Sequence, residues 1–304
     1  MFCEGPVFAI PTPFNKEGHV DYDTLESYLK FLEKNSAKTI MTTVGTSQFN
    51  LLSKEEIRRI NKTCCENFQG KVILGTPPMS HKLIENEIEW INCLERFDNI
   101  AIMLLYPERY YNDTSIVEYF YSLADISNIP VFIHGMYMRH SVSGLYDFSS
   151  KLINKIAKHD NIIGMKEETS DLSSAYNICK NIDKNFEIIV AGGSQRRFSF
   201  LHQTGATTFL TGVGNLFPQI DIDFYNEFLS GNIKKANEIT RCFEDVLFDV
   251  FMKIGWHKSL RSALKIMRLS CYHNRNPFPD CTETEHNLIK KALDKIGKER
   301  EHNK

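Results

Sequence analysis

Residues 161–171, NIIGMKEETSD, open as a buried strand and stop on charge. Ile162, Ile163, Gly164 and Met165 are apolar or glycine; Lys166 follows, with Glu167 and Glu168 directly behind it. A charged amine at a strand end either reaches back to water or takes part in chemistry. Side chains alternate across a strand, so Lys166 and Glu168 share one face and Glu167 takes the other. If Lys166 points into a barrel, Glu168 lines the same pocket.

Seven other apolar runs read as strands: PVFAIPT, TIMTTVG, KVILGTP, IAIMLLYP, IPVFIHG, EIIVAGG and TTFLTGVG. Amphipathic stretches separate them, among them DYDTLESYLKFLEKN, SKEEIRRINKTCCENF and SIVEYFYSLADI. Several begin on Ser, Thr or Asp, and SKEE from Ser53 is a capping box. Eight strand–helix units without a hairpin signal predict parallel pairing. Their count and the chain length fit a closed (β/α)8 TIM barrel, typically ~250 residues. An open doubly wound sheet is the rival, and no G-x-G-x-x-G follows the first strand to support it. From Asp221 onward only helices are expected. The barrel is therefore assigned to residues 1–230 and a helical C-terminal extension to 231–304, with EREHNK at its end expected to fray.

The composition excludes several classes of function. Of 304 residues, 42% are hydrophobic and 24% charged, enough for a substantial core. A net charge of -2 gives no reason to expect nucleic acid or a membrane surface as partner. No apolar run is long enough to span a bilayer. MFCEGPVFAIPTPF lacks the basic segment and cleavage site of a signal peptide. The eight cysteines include no C-x-x-C pair, which predicts reduced thiols, a cytoplasmic setting and no metal site.

In a barrel of this kind the C-terminal strand ends form the active face. Those ends read TVGTSQ, YPERYYN, FIHGMYMR, GMKEE, AGGS and TGVGN for the second and the fourth to eighth strands. A lysine in a partly apolar pocket loses solvation of its charged form, and the neutral amine can attack a carbonyl to give a Schiff base. The plainer alternative is an ion pair between Lys166 and a nearby carboxylate. His134 ends the fifth strand, where it could be a base or a hydrogen-bonded structural residue. Tyr110 and Tyr111 could pack the rim, and Thr46 and Ser47 could make an ST-turn. Gly192 and Gly193 could turn the chain or let a substrate approach the backbone. Arg139 could lie at the surface. Leu210 on the eighth strand joins the substrate-binding candidates. All of them fall on one rim.

PTPF with GHVD after it, GTS…LLSKEE, YYN, NIIGMKEETSD and GVGNLFP together resemble the dihydrodipicolinate synthase / N-acetylneuraminate lyase family of pyruvate-dependent class I aldolases. The resemblance runs from about Phe8 to the helical tail. It implies that Lys166 is the Schiff-base nucleophile and that no cofactor is needed. It implies that Thr46 and Ser47 hold the pyruvate carboxylate and join a proton relay. Tyr111 resembles the relay tyrosine lent across a subunit interface, which implies a dimer or tetramer. Arg139 sits where some members place a carboxylate-binding arginine.

Three departures bear on the substrate. His134 stands where the family carries a tyrosine as acid/base, with Tyr137 nearby as a substitute. Gln48 replaces the glutamate of the second-strand motif, and GGSQ lacks the acidic pair of sialic-acid lyases. The segment from Arg139 to Lys166 is also longer than usual. The expected function is a Schiff-base aldolase that cleaves or forms a 2-keto-3-deoxy sugar acid, with pyruvate and an aldehyde as its small-molecule partners. Glu168 is expected to meet the distal sugar hydroxyls, and His134 to titrate across roughly pH 5.5–7.5. The alternatives are 4-hydroxy-tetrahydrodipicolinate synthase and a catalytically degenerate barrel that only binds a keto acid.

Overall fold

Each of the eight apolar runs becomes a strand of a closed parallel barrel. In the computed structural model, residues 1–76, 80–94, 98–169, 171–182, 185–269 and 273–302 are described. The first five strands are β1 (Val7–Ala9), β2 (Thr39–Thr42), β3 (Lys71–Thr76), β4 (Ile100–Leu104) and β5 (Val131–Gly135). A hairpin, β6 (Met138–His140) and β7 (Gly144–Tyr146), lies outside the barrel. The barrel resumes with β8 (Ile162–Glu167), β9 (Glu187–Val190) and β10 (Thr208–Thr211). Around the barrel the order is β1, β2, β3, β4, β5, β8, β9, β10 and back to β1. Pro77 in KVILGTP and Ser170 in NIIGMKEETSD lie outside the described residues.

Helices follow the strands: α1 (Tyr22–Lys34), α2 (Lys54–Asn67), α3 (His81–Ile91), α4 (Asp113–Asp125), α5 (Ser150–Ile156), α6 (Leu172–Asn181), α7 (Ser194–Leu201) and α8 (Pro218–Leu229). Their starts are chemically marked. Ser53 and Glu56 make the expected capping box on α2, and Asp21, Asn112, Ser149 and Asp171 cap α1, α4, α5 and α6. The tail is helical, as expected: α9 (Ile233–Ile239), α10 (Asp245–Ile254), α11 (Trp256–Ile266) and α12 (Glu283–His302). A π-helical turn, Thr240–Glu244, joins α9 to α10. Helix α12 runs to His302, and Asn303 and Lys304 of EREHNK lie outside the described residues.

Backbone packing divides the chain into two units. The first comprises Met1–Val7, Lys38–Val44 and Gly70–Leu210. Its core includes Ile73, Leu74, Ile102, Phe132, Ile133, Met165 and Ile189, all fully buried. The strands approach closely at Gly164, where a Cβ would stand 2.5 Å from the Glu187 carbonyl and from the Phe132 ring. At the start of β9, the buried Glu187 carboxylate accepts the amides of Phe2 and, at 2.9 Å, Cys3. The second unit comprises Phe8–Ala37, Gly45–Gln69 and Thr211–Lys304. There Arg261 is buried, bonding Gln48 at 2.8 Å and the Thr12 carbonyl at 2.7 Å. Arg275 forks onto Glu56 with two contacts of 2.7 Å. Among the described residues no helix is long and apolar enough to cross a membrane.

One expectation needs correction. The sequence showed no hairpin signal, yet β6 and β7 pair antiparallel, with Arg139 opposite Leu145. The hairpin accounts for the long segment between Arg139 and Lys166. It is pinned to the loop after β4 through Arg139 N to Glu108 O (3.3 Å) and Tyr110 N to Arg139 O (2.9 Å). Tyr110 and Tyr146 stack across it at 3.6 Å, and both hydroxyls donate to Asp113 at 3.0 Å. Such strands owe their form to tertiary partners, not to an apolar run.

Candidate active site

Strand register creates the site. His134 on β5 lies directly opposite Lys166 on the adjacent, parallel β8. Both are buried, at 7% and 5% exposure. Alternation along β8 sends Lys166 and Glu168 to one face and Glu167 to the other, as expected. On the first face three side chains meet. Lys166 Nζ lies 3.0 Å from His134 Nε2, and His134 Nε2 lies 2.9 Å from Glu168 Oε2. Lys166 also forms an ion pair with the same Glu168 oxygen. On the opposite face Arg197 of α7 clasps Glu167 through contacts of 2.8 to 3.0 Å and reaches the Thr169 carbonyl at 3.0 Å. That clasp fixes the end of β8 from behind.

Charge is tightly coupled here. Burial pushes the His134 imidazole down to about 4, and the positive Lys166 pushes the same way; Glu168 pulls against them without cancelling them. Burial would raise the Glu168 carboxyl, yet the Lys166 charge and the His134 hydrogen bond together hold it well below the usual carboxylate range. The expected His134 titration across roughly pH 5.5–7.5 therefore moves down, because the ring is desolvated and sits beside a cation. His134 Nε2 faces two partners: it can donate a proton to Glu168 or accept one from Lys166, and the tautomer decides which.

The remaining candidates fall in different places. Gly192, at φ +70, abuts Glu168: a Cβ there would stand 3.6 Å from Glu168 Cγ. The carbonyl of Leu210 accepts the Ser194 hydroxyl at 3.2 Å, and its side chain is nearly buried. Arg139 is half exposed and paired with Glu108. Tyr111 is 72% exposed, whereas its neighbour Tyr110 is the one locked into the hairpin stack. Thr46 and Ser47 belong to the second unit, in the short turn Gly45–Ser47. Ser47 is buried and donates its hydroxyl to the Ile10 carbonyl at 2.6 Å, while its own carbonyl accepts Thr12 at 2.8 Å. Of His134 and Tyr137, it is His134 that touches Lys166; Tyr137 is 38% exposed.

Glu168 bridges Lys166 and His134, its amide continuing the β5–β8 ladder onto Gly135 O at 3.1 Å.

A family profile, Dihydrodipicolinate synthetase family, matches residues 3–296. The chain belongs to the dihydrodipicolinate synthetase family. Among curated relatives, the 4-hydroxy-tetrahydrodipicolinate synthase of Ehrlichia canis is 27% identical over 75% of each chain. That of Brachyspira hyodysenteriae is 23% identical over 97% of this chain and 98% of its own. Among solved structures, dihydrodipicolinate synthase from Aquifex aeolicus superposes with a TM-score of 0.83 at 20% identity, covering 97% of this chain and 98% of that one. A monomeric dihydrodipicolinate synthase variant superposes with a TM-score of 0.82 at 17% identity, covering 96% of each chain. These likenesses show the fold. Family membership makes the protein a lyase, a pyruvate-dependent aldolase of the Schiff-base-forming class.

Two features of this family member's site were not singled out in the sequence. Tyr106 packs edge-on against His134, with ring centroids 5.6 Å apart. Burial pushes its phenol up, and the Glu168 charge adds to that. Its only sequence signal was a tyrosine closing the apolar run of β4. Arg197 had no signal at all, since its partner Glu167 is remote in sequence.

Proposed function

We propose that the protein condenses pyruvate with aspartate semialdehyde through an imine on Lys166, the reaction for which the curated relatives are named. The observation that carries the imine is a buried Lys166 amine at a strand end, touching an imidazole and a carboxylate. The keto carbon of pyruvate takes the Lys166 amine, and loss of water gives the imine. Its positive nitrogen is the electron sink for removal of a C3 proton, and the resulting enamine attacks the aldehyde. His134 moves protons at Nε2. Tyr111 extends the relay, and Arg139, Gly192 and Leu210 line the path of the substrates.

The charge balance favours an acidic aldehyde more than the sequence implied. A free Glu168 carboxylate would repel it. Paired with Lys166, Glu168 presents little net charge, so that argument for a sugar acid weakens. A second reading, cleavage of a 2-keto-3-deoxy sugar acid, draws on one observation: His134 occupies the acid/base position where the family carries a tyrosine. Purified protein given pyruvate and aspartate semialdehyde should consume both. Pyruvate release from a panel of 2-keto-3-deoxy acids, with no aspartate semialdehyde consumed, would replace this substrate with a sugar acid.

A further inference from the structure

The Lys166 ion pair is unusual for a nucleophile, because a carboxylate in contact with an amine favours its charged, unreactive form. Yet the same contact suits what the nitrogen becomes. We infer that Glu168 is a catalytic counter-ion that Lys166 keeps throughout the reaction, facing an ammonium in the free protein and an iminium after condensation. The inference rests on the imine proposed for Lys166.

The proton balance closes on these two groups. The ammonium gives one proton to Glu168, leaving a neutral amine and a carboxylic acid. The amine attacks the keto carbon, and a proton passes from nitrogen to the new alkoxide, giving a neutral carbinolamine. Its hydroxyl leaves with the proton that Glu168 holds, as water. Iminium and carboxylate remain. Three ammonium protons have become one on the iminium nitrogen and two on water. One buried ion pair has become another of the same charge, so no charge is left uncompensated in the interior at either end of the step.

The surroundings leave Glu168 as the group able to do this. His134 faces Lys166 from β5 and is held neutral by burial and by the Lys166 charge. Tyr106, after β4, and Tyr137, after β5, are phenols; Tyr106 is pushed further toward its neutral form by burial and by Glu168. From β9 the register partner of Lys166 is the apolar Ile189, and beyond it Gly192 offers only backbone against Glu168. Glu167 is turned away and held by Arg197. Glu187 shares the Lys166 face lower on β9 but is occupied by the amides of Phe2 and Cys3, so within this unit, among the described residues, Glu168 is the carboxylate in contact with Lys166.

The test separates the two charged states. Cyanate is small and reacts with neutral amines, so carbamylation of Lys166, read by peptide mass mapping across pH, reports the free protein. Borohydride trapping with pyruvate reports the imine. Glu168→Gln should move the pH of half-maximal Lys166 carbamylation down by about one unit or more. It should also slow trapping at a fixed pyruvate concentration by about tenfold or more, because no group is left to carry the proton from the nitrogen to the departing hydroxyl. Glu168→Asp, which keeps the charge, should show smaller shifts of the same sign, and it carries the test if Glu168→Gln does not fold. An unchanged carbamylation midpoint beside normal wild-type trapping overturns the counter-ion. A carbamylation shift in a wild-type protein that forms no adduct at Lys166 overturns the imine reading, and the iminium half of this inference with it.

Discussion

At the scale of single residues, His134 ties the stability of the fold to pH. Its value falls from 6.5 to about 4 on folding, chiefly through burial. A depressed histidine keeps its contribution to stability above pH 6.5 and loses it as pH falls toward 4. Wild-type protein should therefore lose thermal stability between about pH 6.5 and 4 more steeply than His134→Phe, as read by melts across that range. The rate should show no His134 limb across roughly pH 5.5–7.5. His134→Phe should cost on the order of 10² in kcat while Lys166 still forms its imine; a loss below tenfold would remove His134 from the relay. Lys166, Glu168 and His134 were legible in the sequence because strand alternation and the strand-end rule place them on one rim. The contact of His134 with the other two was not, since the pairing of β5 with β8 sets it. In the free protein Glu168 contacts both Lys166, two residues back on its own strand, and His134 on the neighbouring one.

At the scale of elements, the barrel was legible because each strand is a nearly continuous apolar run between marked helix starts. The β6–β7 hairpin was not, because its strands are short, largely exposed and held by the loop after β4. The Arg197–Glu167 clasp joins α7 to β8, and its energetics follow from burial. Glu167 is fully buried, so removing its partner strands a charge in the interior. Arg197→Met should destabilise by about 3–5 kcal/mol, read by denaturant unfolding. Because the clasp fixes the end of β8, that variant should also trap pyruvate more slowly well below its melting temperature. Trapping at the wild-type rate would separate the clasp from the site.

At the scale of the whole molecule, Tyr111 is the residue that asks for a neighbour, being 72% exposed on the rim. The fold alone does not answer, since a monomeric dihydrodipicolinate synthase variant shares it. We propose that the active form is at least a dimer in which Tyr111 serves the partner's site. Light scattering should give a dimer or tetramer, and Tyr111→Phe should cost on the order of 10² in turnover. A fully active monomer would end the shared-site proposal. The central claim, that this barrel works through an imine on Lys166, is tested most directly by covalent capture in the intact protein. Borohydride added with saturating pyruvate should leave a stable adduct that peptide mapping assigns to Lys166. Lys166→Arg should leave none, because a guanidinium stays protonated. An adduct on another lysine, or no adduct in the wild type, would contradict the account.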